Sequence, residues 1–514
     1  MSPALQLVNA DVRGLADAII TATKSSPVFV SGNFARAMDL KVEANPPLEA
    51  KVIDCQGLPL TYGFVDAHCH VMAYASSLTA VDCRPSAVSS ITALKEAIRS
   101  RVSGTPEGHW VRATGYSDFD LSEKRHPTRT DLDEVAPHHP VRLNHRSGHA
   151  IVLNSAALAA VGISNVTDEP PGCTIDRDTL TGEPTGLLLE MEDFVRARVP
   201  GPTVEELRTS MRLASNSFLS NGILSVCDTS PGNSVETYDT FKEMQSGGYF
   251  LPALTMMIGP SHLDDFVENA LPMKLGTGMR NIGHVKIMLT MSGGTLSPSQ
   301  SELTSLISKA HSLEYPVAIH TVEAAALEAA LNSLEDATPL PNRYWRDRIE
   351  HCSECPPELI SKMARLNVAV VTNPAFLYHS GDRYLAETEG SKIPWLYRAK
   401  SLVESGIRVA AGSDAPVTDP NPIIGIYSAI TRRSIGGKQI NAEEGLNLKQ
   451  ALTMHSRRVV AKDQDNYRSD QYRRGHLTGN LILLDRQLNE DDPEEILKTR
   501  VAMTILNGKI VYEG

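Results

Sequence analysis

Short apolar runs recur along the second half of the chain, and a turn signal and a stretch with helical spacing follow most of them. Successive runs begin at Ile223, Leu254, Val285, Val317 and Ile349, so the intervals are 31, 31, 32 and 32 residues. Apolar runs of this kind are typical of strands that are buried on both faces. Their regular alternation with helical patterns predicts βαβ units and a parallel sheet.

Three further runs bring the number of predicted strands to eight. Two continue the series, at residues 368–373 and 407–412, and one precedes it at residues 63–68. Eight strands with helices between them fit a closed (β/α)8 TIM barrel. A doubly wound open sheet is the alternative, but no glycine-rich dinucleotide loop follows any of these runs.

The interval between the first two predicted strands is several times longer than the others. From His68 to Ile223 there are 155 residues, which include a helical pattern at 91–103 and strand-like runs at 110–115 and 141–145. We therefore expect an inserted α/β cap subdomain over the barrel mouth. The predicted bounds are 72–221 for this cap, with 63–71 and 222–461 forming the barrel.

Both ends of the chain are expected to meet in a small domain. Strand-like runs at 481–484 and 501–512 lie beyond the barrel, and residues 52–54 can complete their sheet. This pattern predicts a small β-sandwich formed by residues 1–62 and 462–514. The predicted fold class is therefore α/β: a TIM barrel, a large insertion after its first strand and a terminal β domain.

Composition narrows the functional classes. The 514 residues are 41% hydrophobic, and the formal net charge is −12, which argues against a nucleic-acid partner or an anionic membrane. No apolar run reaches the length of a membrane span and the first residues lack a secretory pattern, so a cytoplasmic location is expected. Seven cysteines, an odd number, do not suggest a disulfide framework.

Histidines and an aspartate stand where predicted barrel strands end. His68 and His70 are two residues apart at the end of the first strand, so both imidazoles can face one side. His320 ends the fifth strand, His351 the sixth and Asp414 the eighth. Because the C-terminal strand ends of a barrel ring one mouth, all five side chains should converge. Imidazoles and a carboxylate suit Zn²⁺, and five ligands exceed one tetrahedral site, which indicates two metals.

Lys286 lies inside the fourth predicted strand, where an unpaired charged amine is costly. Two interpretations are open. In one, the amine pairs with a carboxylate at the mouth. In the other, CO₂ carboxylates the lysine and the new oxygens bridge two metals. Glu350, which precedes His351, is a candidate to orient a neighbouring strand or a metal ligand.

This constellation resembles the amidohydrolase superfamily. The resemblance is carried by GFVDAH at 63–68, RIEH at 348–351 and GSDAP at 412–416, and it covers about residues 50–514. Two segments of the insertion, SGHA at 147–150 and LNSAAL at 153–158, are similar to the family-3 branch. That branch includes the N-substituted formamide deformylases.

The resemblance implies a metal-dependent hydrolase that cleaves a C–N bond in an amide or cyclic amide of a small molecule. It implies attack by a metal-activated hydroxide, with Asp414 as general base and then general acid. It also implies zinc as cofactor, either two ions bridged by carboxylated Lys286 or one ion. His149 of the insertion either reaches the substrate and steadies the developing oxyanion, or is satisfied within the insertion alone. The residues that match the family's metal ligands are His68, His70, Lys286, His320, His351 and Asp414.

The sequence departs from the family-3 pattern in two places, which affect the interpretation of Lys286 and the predicted small β domain. The chain reads TMSGG at 290–294, where the branch usually has Asp-Gly, and this is more similar to prolidase-like and imidazolonepropionase-like amidohydrolases. In the prolidase-like enzymes the lysine is carboxylated, which favours that interpretation of Lys286. Tyr62 replaces the usual proline before Gly63, which affects the predicted shape of the small β domain but not the site.

Other functions stay open. A deaminase of an amino-heterocycle would use one zinc and an unmodified Lys286, with a glutamate such as Glu323 after the fifth-strand histidine. A metal-dependent decarboxylase can use the same set of ligands. An inactive scaffold is disfavoured because all six ligand positions are filled. Neither the substrate nor the oligomeric state, including a homodimer, is fixed by the sequence.

Overall fold

The computed structural model describes residues 5–11, 28–31, 34–37, 51–170, 172–273, 279–292, 294–341, 345–456 and 476–514. Within these residues, eight parallel strands form one sheet in sequential order. All eight predicted strands are present, and the sheet curls into a nearly closed TIM barrel, as predicted. The strands are β1 (Phe64–Cys69), β2 (Ile223–Asp228), β3 (Ala253–Ile258), β4 (Arg280–Met288), β5 (Val317–Thr321), β6 (Arg348–His351), β7 (Ala369–Thr372) and β8 (Val409–Ala411).

The barrel strands are buried on both faces. Every residue of β5, β6, β7 and β8 is buried, because helices cover the outside and side chains fill the inside. The surrounding helices are Val71–Ser77, Val204–Ser220, Val235–Ser246, Leu263–Glu268, Gln300–Ser312, Ala324–Asp336, Pro357–Leu366, Pro374–Glu387, Ala399–Glu404, Pro422–Thr431 and Leu448–Met454. Among the described helices, none is long and apolar enough to cross a membrane.

The helix Gln300–Ser312 shows how the sequence sets these elements. Ser299 and Glu302 form a capping box that satisfies the first free backbone N–H groups. Leu303 and Ile307 lie on the face that packs into the barrel core, as the helical spacing predicts.

Side chains complete the closure between β8 and β1. The Asp66 carboxylate accepts hydrogen bonds from the Ser413 backbone N–H at 3.0 Å and from the Ser413 hydroxyl. The Asp414 N–H donates to the His68 carbonyl at 2.7 Å. Gly412 is required here, because a Cβ at this position would lie 2.4 Å from the Cβ of His68. Closure therefore places His68 and Asp414 side by side.

A six-stranded mixed sheet lies in the chain between β1 and β2. It has its own apolar clusters, and its helices are Ile91–Val102, Arg129–Asp133, Ser155–Ala160 and Glu192–Arg196. The helices Val71–Ser77 and Val204–Ser220 instead pack into the barrel core, so the predicted cap bounds of 72 and 221 include two helices that belong with the barrel. In spatial order, the strands are Thr174–Arg177, Pro184–Leu189, Ala150–Leu153, Val141–His145, Val111–Tyr116 and Val81–Asp82.

Two further sheets join the chain ends. Leu7 from the N-terminal region, Leu60, and Leu481 and Ile505 from the C-terminal region share one apolar cluster. The predicted domain segments 12–27, 38–50 and 457–475 lie outside the described residues. In spatial order, one sheet contains His476–Thr478, Phe34–Ala37, Val28–Ser31, Leu5–Val8 and Lys51–Asp54. The other sheet contains Lys509–Glu513, Val501–Leu506, Leu481–Leu484 and Leu60–Tyr62. The helix Pro493–Leu497 lies in the connection between Leu481–Leu484 and Val501–Leu506.

Candidate metal centre

Four imidazoles and one carboxylate meet at the C-terminal end of the barrel. The ring centroid of His351 lies 4.6 Å from that of His68 and 4.6 Å from that of His320. The Asp414 Oδ1 atom lies 3.3 Å from His68 Nε2 and 3.0 Å from His70 Nε2. His68, His351 and Asp414 each offer one ligand atom, and these atoms all lie within 4.8 Å of one another.

The backbone turns sharply at two of these positions. His351 has φ = +65° and Asp414 has φ = +57°, both in the left-handed region. For a residue other than glycine, this conformation costs about 1 kcal/mol or more and persists only when the surroundings enforce it. The turn lets each side chain leave its strand end toward the barrel mouth.

A buried carboxylate orients His68. The Glu350 Oε2 atom lies 2.5 Å from His68 Nδ1, and the Arg348 guanidinium donates to the other Glu350 oxygen at 2.8 Å. Burial opposes the charge of Glu350, but Arg348 and His68 hold its pKa well below the usual range. With Nδ1–H donated to Glu350, the lone pair of His68 Nε2 faces the centre, as a metal ligand requires.

The other ring nitrogens are held in a similar way. His351 Nδ1 lies 2.7 Å from Asn373 Oδ1, and Asn373 donates to the Gly412 carbonyl at 3.0 Å. His70 Nδ1 lies 3.1 Å from the Ser230 hydroxyl. Burial lowers the pKa of His351 to about 3. This ring is therefore neutral at physiological pH, which is the form that binds metal ions.

Burial likewise holds the pKa of His320 well below its ordinary value. Burial is the largest cause, so His320 is also a neutral imidazole.

Three polar atoms at this centre are buried and lack a hydrogen-bond partner within the described part of the chain. They are His68 Nε2, Asp414 Oδ1 and Lys286 Nζ. Leaving buried polar atoms unpaired is costly unless a further group satisfies them. Burial also lowers the pKa of Lys286, which favours the neutral amine and its lone pair. This donor set of imidazoles, a carboxylate and an amine fits a divalent metal such as zinc.

The predicted residue of the insertion, His149, stands apart from this cluster but is electrostatically linked to it. It precedes the strand Ala150–Leu153, and its side chain is 45% exposed. Its charge acts on His320, and the charges of Glu323 and Asp414 act on it.

Sequence reasoning missed several residues that hold the centre. Arg348 alternates with Glu350 along β6, and this two-residue spacing on one strand face is a signal that was available. Asn373 directly follows β7 and Ser230 lies two residues after β2, at the same edge as the predicted ligands. Glu190, which contacts His149, has no such signal because it lies 41 residues away in the chain.

Comparisons with known proteins extend these observations. The model of the amidohydrolase family matches residues 51–512. The chain is 27% identical to the N-substituted formamide deformylase of Arthrobacter pascens, over 99% of this chain and 98% of that protein. It is 26% identical to a Bacillus subtilis (strain 168) protein named as an amidohydrolase, YtcJ, over 94% of each. A metal-dependent hydrolase from Pyrococcus horikoshii OT3 has the same fold, with a TM-score of 0.68 at 21% identity, covering 88% of this chain and 91% of that chain.

The variant Glu350→Gln tests the orientation of His68. Zinc affinity should fall about 10- to 100-fold, because the amide neither fixes the Nδ1 proton nor neutralises Arg348. Competition with a chromogenic chelator measures this affinity, and circular dichroism checks the fold. Glu404→Gln, at the exposed end of a helix, is the control and should retain wild-type affinity. Unchanged affinity in a folded Glu350→Gln protein would contradict the role of Glu350.

Proposed function

The chain belongs to the amidohydrolase family, and from this premise we propose that it is a metal-dependent hydrolase that cleaves a C–N bond in an amide or cyclic amide of a small molecule. The convergence of the buried His68 and His351 imidazoles with Asp414, next to the buried Lys286 amine, carries this proposal. The formamide deformylase of Arthrobacter pascens, similar over nearly its whole length, supports the same bond class.

Six residues would hold the metal. When bound, zinc supplies Lewis-acid polarisation of a carbonyl group and lowers the pKa of water toward about 7. Glu350 and Asn373 fix the rings of His68 and His351 so that the opposite nitrogens face the centre. The proposed ligands are His68, His70, Lys286, His320, His351 and Asp414.

We propose that Lys286 is carboxylated. Its neutral Nζ atom would attack CO₂: a new N–C bond forms as one C=O π bond opens, and the amine passes one proton to water, which leaves a carbamate with one negative charge. The carbamate would offer two oxygens as metal ligands, which a plain amine lacks. The buried Nζ atom, without a hydrogen-bond partner among the described residues and with a lowered pKa, supports this step.

Asp414 is the proposed proton carrier. Burial opposes its charge, but the neighbouring His68 and His70 hold its pKa well below the usual range. It is therefore ionised and can accept a proton from the attacking water at a carboxylate oxygen. It then returns this proton to the leaving nitrogen, which departs as an amine. His149 is the proposed substrate-binding residue of the insertion.

A second candidate is hydrolytic deamination of an amino-heterocycle with one zinc. Glu323 follows β5 and precedes the helix Ala324–Asp336, but its side chain makes no capping hydrogen bond. It lies two residues after the end of β5, and its charge acts on His149, which supports this candidate. In this version Glu323 handles protons and Lys286 stays unmodified.

Metal content distinguishes the two versions. Protein purified without chelator should hold about two zinc equivalents per chain, and Lys286→Ala should hold about one or fewer, because the carbamate bridge is lost. Elemental analysis gives the count, and ¹³C NMR after incubation with ¹³C-bicarbonate should show a carbamate signal in the wild type alone. Lys309→Ala, a surface lysine paired with Asp264, should behave as wild type. About one equivalent in both the wild type and Lys286→Ala would contradict the bridged centre.

A substrate screen tests the reaction. Formamides, anilides, lactams and amino-heterocycles are incubated with the enzyme, and products are identified by mass spectrometry. For any amide that is cleaved, kcat of Asp414→Asn should fall about 100- to 10,000-fold, because its proton carrier is lost. Metal content should be retained. Asp265→Asn on the surface is the control, and full activity in Asp414→Asn would remove Asp414 from the mechanism.

A further inference from the structure

His149 and Glu190 form a hydrogen-bonded pair that is separate from the candidate metal ligands. His149 Nδ1 lies 3.0 Å from Glu190 Oε1 and 3.1 Å from Glu190 Oε2, so both carboxylate oxygens face one ring nitrogen. The two side chains are 45% and 42% exposed, respectively, so solvent reaches the pair. A histidine in such a position can donate its second ring proton to a bound molecule.

Strand pairing in the insertion brings His149 and Glu190 together. The strands Ala150–Leu153 and Pro184–Leu189 are antiparallel, with Ala150 opposite Leu189. His149 and Glu190 are therefore the next opposed pair, and the Glu190 N–H donates to the His149 carbonyl at 2.9 Å. Opposed side chains at this spacing interact directly.

The segments that carry the pair are constrained. Glu190 has φ = +58°, a left-handed conformation that a residue other than glycine adopts only under constraint. On the other strand, Gly148 has φ = +78°, and the Ser147 hydroxyl accepts the His149 N–H at 3.2 Å. Both partners are thus held at the sheet end before any substrate binds.

The pair is electrostatically linked to the candidate metal centre. The charge of His149 acts on His320, and the charges of Asp414 and Glu323 act on His149. The Glu190 hydrogen bond is the largest influence on His149 and raises its pKa, burial opposes this, and the Glu190, Asp414 and Glu323 charges add to it. Because Nδ1 is bound to Glu190, Nε2 is the ring nitrogen that remains for a ligand in the mouth.

We propose that Glu190 is a positioning residue that holds His149 as an imidazolium with Nε2–H directed to the carbonyl oxygen of the scissile amide. The inserted segment then supplies a cationic hydrogen-bond donor opposite the metal ligands of the barrel. Such a donor stabilises the negative charge that develops on this oxygen during attack. The inference rests on the proposed function, because the donor acts only if a carbonyl compound is cleaved at this centre.

A histidine titration tests the pair directly. Enzyme labelled with ¹³C at the histidine Cε1 atom is titrated by NMR, and His149→Gln assigns the resonance. The His149 midpoint should move to lower pH in Glu190→Gln, which keeps the size of the side chain but removes its charge. Glu190→Asp, which keeps the charge, should restore most of the wild-type midpoint. Asp265→Asn is the matched control: it removes the carboxylate 3.3 Å from His262 and should leave His149 unchanged.

The pH dependence of kcat/KM tests whether the reaction uses the His149 proton. Above its raised pKa, His149 loses the donor proton, so kcat/KM should decline on the basic side of the profile. In Glu190→Gln this decline should begin at lower pH, and kcat/KM should fall about 10- to 100-fold there, with zinc content unchanged.

The titration, the pH profile and the substrate screen each test a different part of the inference. Equal His149 midpoints in the wild type and Glu190→Gln, with normal turnover, would overturn the role of Glu190 alone. A shifted midpoint with a pH profile of unchanged shape would overturn the donor role of His149. If none of the screened carbonyl compounds is cleaved, the proposed function is wrong and the donor role falls with it, whatever the titration shows.

Discussion

The Glu350 carboxylate on β6 lies between the Arg348 guanidinium and the His68 ring, and it joins β6 to β1 beneath the candidate metal centre. Arg348 also donates to the Ala67 carbonyl at 2.9 Å, so the same cluster holds the backbone of β1. Buried charges are stable only when they are paired and hydrogen-bonded. Here the Glu350 carboxylate pairs with Arg348 and accepts a hydrogen bond from His68. Removing the Glu350 carboxylate would leave the buried Arg348 charge unpaired and free the His68 ring to rotate.

The barrel and the insertion contribute different parts of the proposed site. Strand ends of the barrel carry the proposed metal ligands, and their rigid positions suit a group that tolerates little displacement. The insertion carries His149 and Glu190, which lie at one end of a separate sheet and are electrostatically linked to the centre. Substrate selection is therefore expected to follow from the insertion and the loops after the barrel strands, whereas the bond chemistry follows from the barrel.

Much of the barrel and of the metal centre was predictable from the sequence, because both follow from short-range patterns. The interval of about 31 residues located β2 to β6, and strand ends then located His320 and His351. The pairing of His149 with Glu190 was not predictable, since it depends on the register of two strands in the insertion. The strand Pro184–Leu189 itself was missed, because it contains Pro184 and a positive-φ glycine, Gly186.

Anomalous X-ray diffraction at the zinc edge, recorded from crystals of the zinc-loaded protein, tests most directly whether the barrel mouth is the metal centre. The structure predicts zinc about 2.0–2.2 Å from the imidazole nitrogens of His68 and His351 and from an Asp414 oxygen. A second peak beside Lys286 would accompany a carbamate bridge. Zinc bound elsewhere, with no anomalous peak among these residues, would contradict the assignment of this centre.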